Sequence, residues 1–356
     1  MSIRIKKTVW KITKNPLIRF LFVFFRRYHG SLNKLYLERN NCFQRYSNKN
    51  IQNLSEKKIK REMLISLYKY GSDFEEYFLY DFLNIDKQNR KNYITSNNRY
   101  YLYTVLNDFK LEHIFYNKNE TFNAFKEYFK RDQFFIYQDA SLKDFLIFTS
   151  NKNKVIFKPK NLSSGRGVEI IDLGNHNPEM LFNNLKLKGE GVLEDLIIQD
   201  DLMASFHPES VNTLRIPTII CRKNSVDNIT IFHPIMRVGK NKMIVDNGGA
   251  GGILLAIDSI NGSIISDGYD EDGVVYESHP DTNIKFKGFQ VPKWGEAIKL
   301  VKELARKFPD ARYVGWDLAL NNRKEWVLVE ANMSGEFKVL QIPLKMGLYN
   351  ELKKYL

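Results

Sequence analysis

The pattern of hydrophobic and polar positions changes twice along the chain. The most apolar run is Phe20 to Phe25 (FLFVFF), preceded by Pro16 and flanked by Arg19, Arg26 and Arg27. From about 55 to 135 apolar residues recur at helical spacing, as in Ile59, Met63, Leu64, Leu67 and Tyr70, then Phe74, Tyr77, Phe78 and Phe82. After residue 150 the period shortens. Runs bounded by glycine and asparagine predict strands at Val155–Lys158, Val168–Asp172, Val192–Gln199, Val211–Cys221, Ile229–Val238 and Ile253–Asp258. Asn261-Gly262 is a hairpin-turn signal. One amphipathic helix is expected at Lys293–Phe308, with Ile298, Val301, Leu304, Ala305 and Phe308 on one face, followed by strands at Tyr313–Leu320 and Trp326–Glu330. The whole reads as α+β with mostly antiparallel sheet.

Composition adds a core and an asymmetry. The 356 residues are 43% hydrophobic and 27% charged, enough to bury a sizeable interior. Lys+Arg exceed Asp+Glu by 54 to 41, a net +13, yet residues 1–45 hold eleven of the bases against one acid, Glu38, so +10 sits there and +3 in the rest. A nucleic-acid groove is disfavoured, because phosphate tracking needs charge spread over the folded face that binds. The apolar run is shorter than the ~20 residues that cross a bilayer, and it lacks the longer apolar region and small-residue cleavage site of an export signal. Bases at 4, 6, 7, 11, 14, 19, 26 and 27, interleaved with Trp10, Leu17, Ile18 and the Phe cluster, suit a segment lying in the interface of an anionic membrane. A core helix with a solvated basic rim, or a nucleic-acid arm, are the competing readings. Cys42 and Cys221 fit neither a disulfide framework nor a CxxC metal site, and a cytoplasmic location is expected.

Candidate chemistry concentrates late in the chain. Asp317 interrupts an apolar strand (YVGWDLAL), and Glu330 and Asn332 close the next (WVLVEAN). A hairpin turning near Arg323-Lys324 brings Asp317 opposite Glu330, so three oxygen-bearing side chains converge. Two carboxylates there would repel and resist desolvation unless a hard dication such as Mg²⁺ joined them; strand-end carboxylates facing water are the alternative. A second constellation runs from the strand ending in Lys158 through Lys160-Asn161-Leu162-Ser163-Ser164-Gly165-Arg166-Gly167 to Glu169-Ile170-Ile171. It is neither a Walker loop nor GxGxxG, but its small residues can fold N–H groups over phosphate oxygens beside a fixed cation; an ordinary hairpin tip is the alternative. Glu194-Asp195-Leu196-Ile197 reads as a strand crossing between subdomains. Arg215, in SVNTLRI, is an inward arginine that wants a phosphate or carboxylate, or a structural ion pair. Asn247 to Gly252 (NGGAGG) is a pliable loop suited to close backbone approach or to a lid. His207 and His233, each next to a proline, read as structural.

In this order the motifs resemble the ATP-grasp superfamily, most closely its sugar-transfer-associated branch, over roughly 100 to 345. The resemblance implies two α+β subdomains gripping ATP behind a helical N-terminal region. The expected divisions are a membrane-interface segment at 1–45, helices at 46–135, a lid subdomain at 136–198 and a metal and substrate subdomain at 199–356. It implies nucleotide contacts from Lys158, Ser163, Ser164, Gly165 and Gly167, adenine contacts from Glu194, Asp195, Leu196 and Ile197, and a ribose contact from Asp201, with Asp200 as rival. The family's metal signature, an aspartate, thirteen residues to a glutamate, then x-Asn, matches Asp317, Glu330 and Asn332 and implies two Mg²⁺ ions. Asn212, Arg215, Gly248, Gly249, Gly251 and Gly252 become the acceptor side, with Arg215 and Lys158 as catalytic cations. The first ATP-binding lysine commonly follows an Asn-Asp pair; here Asn107-Asp108 is followed by Phe109, then Lys110.

The resemblance therefore implies a Mg²⁺- and ATP-dependent carboxylate–amine ligase, ADP-forming through an acyl phosphate. Its partners would be a small or lipid-linked glycan acceptor of surface-polysaccharide synthesis and an amine donor, at the inner face of the membrane. A phosphotransferase acting on a sugar hydroxyl and a noncatalytic ATP-binding scaffold are the alternatives.

Overall fold

The computed structural model describes residues 14–46, 55–160, 167–221, 228–241 and 252–356. Two antiparallel sheets carry the architecture. The smaller is built from β1 (Gln133–Ile136), β2 (Lys154–Pro159), β3 (Glu169–Asp172) and β4 (Gly191–Asp195) in the order β1-β4-β2-β3. One face has its own core, in which Val155, Phe157 and Leu193 pack against Phe145 and against Leu181, Phe182 and Leu185. Those partners come from helices Leu142–Thr149 and Pro178–Lys188. Alternation turns Ile156, Lys158, Val192 and Glu194 to the opposite face, in a register that sets Ile156 against Glu194 and Lys158 against Val192.

Among the described residues the larger sheet has eight strands. They are β5 (Thr213–Cys221), β6 (Asn228–Ile231), β7 (Ile235–Val238), β8 (Ile253–Ala256), β9 (Gly268–Tyr269), β10 (Val275–Tyr276), β11 (Tyr313–Leu320) and β12 (Trp326–Asn332). The order is β10-β9-β8-β7-β5-β11-β12, with β6 also on β5. Every residue of β11 is buried. Trp316 faces Phe115 and Phe125, from helices Glu112–Tyr116 and Lys118–Phe129. On the other face Tyr313 stacks on Phe337, beside Tyr103 of helix Arg99–Leu106. Helix Trp294–Lys307 buries Ala297, Val301, Leu304 and Ala305.

The N-terminal pattern resolves into helices Pro16–Tyr28, Leu32–Tyr46, Glu56–Tyr70 and Phe74–Leu79. Their starts follow from local chemistry. Asn15 caps the first helix ahead of Pro16, and Asp73 and Glu76 close a reciprocal capping box on the last.

Three departures from the sequence reading have physical causes. The run expected as one strand at 229–238 breaks into β6 and β7, because His233 takes a left-handed φ of 47° and Pro234 has no N–H to give a ladder. The strand expected to 199 stops at Asp195, and Gln199 instead bridges to Asn321. Helix Pro178–Lys188 was not expected, although Asn177 ahead of Pro178 is a helix-start signal and its side chain accepts from the Met180 N–H at 3.1 Å.

Candidate active site

On the larger sheet, Asp317 lies opposite Arg215 of β5 and opposite Glu330 of β12, while Gly315 lies opposite Asn332. Directly paired residues share a face, so Arg215, Asp317, Glu330 and Asn332 form one row across three strands. A register shift after Asp317 leaves Val329 as the extra residue of β12, a bulge of the kind that re-aims neighbouring side chains.

Asp317 is buried and already partnered. Arg215 donates to it through Nε and through Nη2, the latter at 2.7 Å, and Arg237 of β7 donates through Nη1 at 3.2 Å. Burial alone would raise the Asp317 pKa, but the two guanidinium charges outweigh it and hold the carboxyl below its ordinary range. The converse holds for Arg215: burial opposes its charge, and Asp317 more than compensates, so its pKa is raised. Two glycines make the space for this arginine. A Cβ at Gly315 would come within 2.9 Å of Arg215 Cδ, and one at Gly335 within 3.1 Å of Arg215 Nη1.

Glu330 is exposed, and among the described residues no ion pair holds it. Asn332 Oδ1 accepts from the Ser334 N–H at 2.9 Å and keeps a second lone pair. Two carboxylates and an amide oxygen on one face are the donor chemistry of a hard cation, so the set fits Mg²⁺. Asp317 would share its oxygens between such an ion and the guanidiniums, since Oδ1 accepts from Arg215 alone while Oδ2 accepts from both arginines. No group of three His, Cys, Asp or Glu side chains among the described residues is disposed around a common metal position. Water and phosphate would therefore have to complete the shell.

The smaller sheet presents the opposing charges. Lys158 Nζ pairs with Glu194 Oε2 at 2.8 Å, and Arg131 donates to the same oxygen through Nε and Nη2 at 2.9 and 2.8 Å. Arg131 Nη1 reaches the Leu328 carbonyl of β12 at 2.7 Å, so one buried guanidinium ties the two sheets together. Burial pushes the Glu194 pKa up, but Arg131 and Lys158 overcome it and bring it down to about 2. Glu194 is thus a buried counter-ion. Of its neighbours, Asp195 pairs with Lys152 at 2.8 Å, and Leu196 and Ile197 are half-buried.

Sequence reasoning missed Lys118. Burial lowers its pKa, while the charges of Glu330 of β12 and Glu194 of the smaller sheet raise it and that of Lys158 lowers it further. Its Nζ donates to the Pro159 carbonyl at 3.2 Å. The available signal was Asn117, which caps the helix that Lys118 opens. Lys110 is instead exposed in a single turn, Phe109–Leu111. The preceding Asn107 is a clamp: its amide donates to the Tyr313 and Met333 carbonyls at 3.1 and 2.7 Å and accepts from the Tyr313 N–H at 2.8 Å.

The remaining candidates divide. Asp201 is exposed at the start of the short helix Asp201–Ala204, whereas Asp200 caps that helix and pairs with Lys324. Asn212 is fully buried; its amide donates to the Met203 and His207 carbonyls at 2.8 and 3.2 Å, and its oxygen accepts from the Gly239 N–H at 3.2 Å. Both amide protons are thus used within the loop, and the side chain shapes it. His207 is held by Ser210 and the Asn241 carbonyl, and His233 by Glu351. Gly167 has a left-handed φ of 70°, and Gly252 is buried just before β8. Ser163, Ser164, Gly165, Gly248, Gly249 and Gly251 lie outside the described residues.

Lys158 of the smaller sheet, Lys118 at the Pro159 carbonyl and the Asp317, Glu330 and Asn332 row of the larger sheet are the charges that can take a polyanion together with a divalent cation. Comparison with solved structures returns ATP-grasp ligases at low identity. The ligase PsnB in complex with a minimal precursor aligns at 9% identity and a TM-score of 0.43, over 70% of this chain and 64% of that one. N5-carboxyaminoimidazole synthetase from Staphylococcus aureus with ADP aligns at 11% and 0.41, over 68% and 54%. The ADP complex of purK, N5-carboxyaminoimidazole ribonucleotide synthetase, aligns at 10% and 0.39, over 64% and 47%. The chain spans less than two thirds of the length of each of these ligases. No curated protein matches the sequence. The model of the family described as sugar-transfer associated ATP-grasp matches residues 88–355, three quarters of the chain, and the protein belongs to that family.

Proposed function

We propose that the protein is an ADP-forming carboxylate–amine ligase that uses MgATP to modify a carboxylate-bearing precursor of a cell-surface polysaccharide, with a uronic acid as substrate and an amino acid as amine donor. One observation carries the reading: the sugar-transfer associated ATP-grasp model matches residues 88–355, a span that includes Lys118, which donates to the Pro159 carbonyl next to Lys158, and the Asp317, Glu330 and Asn332 row. The family's description as sugar-transfer associated supports the sugar context.

In this reading Glu330, Asn332 and Asp317 would hold magnesium, which would supply positive charge to offset that of the phosphates. Lys118 and Lys158 neutralise the triphosphate from the other side of the cleft. The substrate carboxylate attacks the γ-phosphorus, the bond to the β,γ-bridging oxygen breaks, and ADP leaves. Arg215, which pairs with Asp317, is proposed to hold the transferred phosphoryl oxygens. The amine then attacks the acyl carbon and releases phosphate and a proton, giving an amide. No protein nucleophile is needed, because positioning and exclusion of water do the work.

The test is incubation with MgATP, candidate glycan carboxylates and amino acids, following ADP and product mass. ADP release that requires both carboxylate and amine, with an amide product, is the expected result. A phosphoester product formed without amine, or no release with any acceptor, would overturn the proposal.

A further inference from the structure

Helix Pro16–Tyr28 is apolar on both sides, and only one side is covered. Val23 and Tyr28 are buried in the main core, and Phe20 and Phe24 pack against it. Arg19 is the anchor. Although it reads as part of a solvated basic rim, it is buried, and its Nη2 donates to the Tyr68 and Lys69 carbonyls at the end of helix Glu56–Tyr70, at 3.2 and 3.0 Å. The absence of a side chain at Gly71 gives it room, since a Cβ there would fall 2.7 Å from Arg19 Nε.

The opposite side presents Leu17, Ile18, Leu21 and Phe25 with 54, 41, 43 and 64% of their surfaces exposed. Positions 17, 21 and 25 fall four residues apart, one stripe of a helix. The Phe25 ring lies against the Gly30 turn, and beyond it Leu32 and Tyr36 of helix Leu32–Tyr46 expose 54 and 40%. Single exposed apolar residues are ordinary. Six on two consecutive helices make a patch of the kind that marks an interaction surface.

Charge says what the patch faces. Lys14, Arg26 and Lys34 are exposed around it, with no ion pair among the described residues. The one acid of the segment, Glu38, is taken by Arg27 at 2.7 Å. In the sequence Arg4, Lys6, Lys7 and Lys11 precede the helix with no acid among them. A second copy of the same face would bring +10 against +10 from residues 1–45, which opposes self-association. No described helix is long and apolar enough to cross a membrane. We propose that this face docks on an anionic bilayer, its apolar stripe entering the boundary between headgroups and acyl chains while Lys14, Arg26 and Lys34 meet lipid phosphates. The proposal is independent of the ligase reading, because none of these residues lies in the cleft.

The experiment is flotation of the full chain with vesicles of phosphatidylcholine alone or with about a third phosphatidylglycerol. Binding should require the anionic lipid and fall in 0.5 M salt. At about 1 kcal/mol for each surface cation, changing Lys14, Arg26 and Lys34 to Gln should lower partitioning on the order of a hundredfold. Leu21→Glu with Phe25→Glu should lower it by at least about tenfold, with circular dichroism and thermal midpoint unchanged because both side chains face solvent. Three results would overturn the proposal: no preference for anionic vesicles, undiminished binding by the Leu21/Phe25 variant, or a wild-type dimer in solution that this variant dissolves.

Discussion

Replacing Glu194 by Gln tests the charge cluster that joins the two sheets. Glu194 is buried, with 4% of its surface exposed, so solvent screens its ion pairs little. Its pKa falls from an ordinary 4.5 to about 2. At roughly 1.4 kcal/mol per unit, the ionised form contributes about 3 kcal/mol to folding. The same order follows from the usual loss, about 3–5 kcal/mol, when one partner of a buried pair is removed. The folded pKa is depressed, so this stability is fully present above about 4.5 and is lost as pH falls through about 2. Urea unfolding should therefore show Glu194→Gln weaker than the wild type by about 3 kcal/mol at pH 7, with the gap closing as the pH is lowered toward 2. Hydrogen exchange should locate the loss in β2 and β4, where Lys158 and Glu194 lie. Equal stability at pH 7, or a gap that does not change with pH, would refute the reasoning.

Other substitutions separate the roles of neighbouring residues. Asp317→Asn leaves the Arg215 and Arg237 guanidiniums buried against a neutral amide and should cost about 3–5 kcal/mol in urea unfolding; wild-type stability would contradict the ion-pair account. Lys118→Met should weaken MgADP binding about ten- to a hundredfold by calorimetry, the worth of one or two charge-assisted hydrogen bonds. Lys110→Met, in an exposed turn, should leave it within about twofold. Gly315→Ala would put a methyl 2.9 Å from Arg215 Cδ and force that side chain to shift. Turnover should then drop by about tenfold or more while the protein stays folded, measured as acceptor-dependent ADP release beside a thermal melt.

Much of the larger sheet was readable because its strands alternate cleanly or are apolar throughout. The Asp317 to Glu330 pairing is expected from a hairpin turning near Arg323-Lys324, but in the structure it is the Val329 bulge that sets Asp317 opposite Glu330; the register of Leu318 with Leu328 continued without it would face Asp317 with Val329. What the spacing conceals is the partner on the other side: Arg215 and Arg237 reach Asp317 only because β5 lies between β7 and β11, an order that no local pattern encodes. The Glu194 cluster was hidden for the same reason, since Arg131, Lys158 and Glu194 come from three separated segments. Lys118 carries no motif of its own: the Asn-Asp pair points to Lys110, whereas Asn107 pins β11 and Lys118 opens the helix Lys118–Phe129. Arg19 belonged by composition to a basic rim, and only the carbonyls at the end of helix Glu56–Tyr70 explain its burial. By contrast, the break at His233-Pro234 and the helix start at Asn177-Pro178 were written locally and could have been read.

The central claim is that Glu330 is the metal-facing wall of a nucleotide cleft whose other wall carries Lys118 and Lys158. Calorimetric titration of ADP with and without Mg²⁺, into the wild type and Glu330→Gln, tests it most directly. Magnesium should tighten ADP binding to the wild type by at least about tenfold and do almost nothing for the variant, which keeps its metal-free affinity. An equal magnesium effect in both proteins would contradict the account.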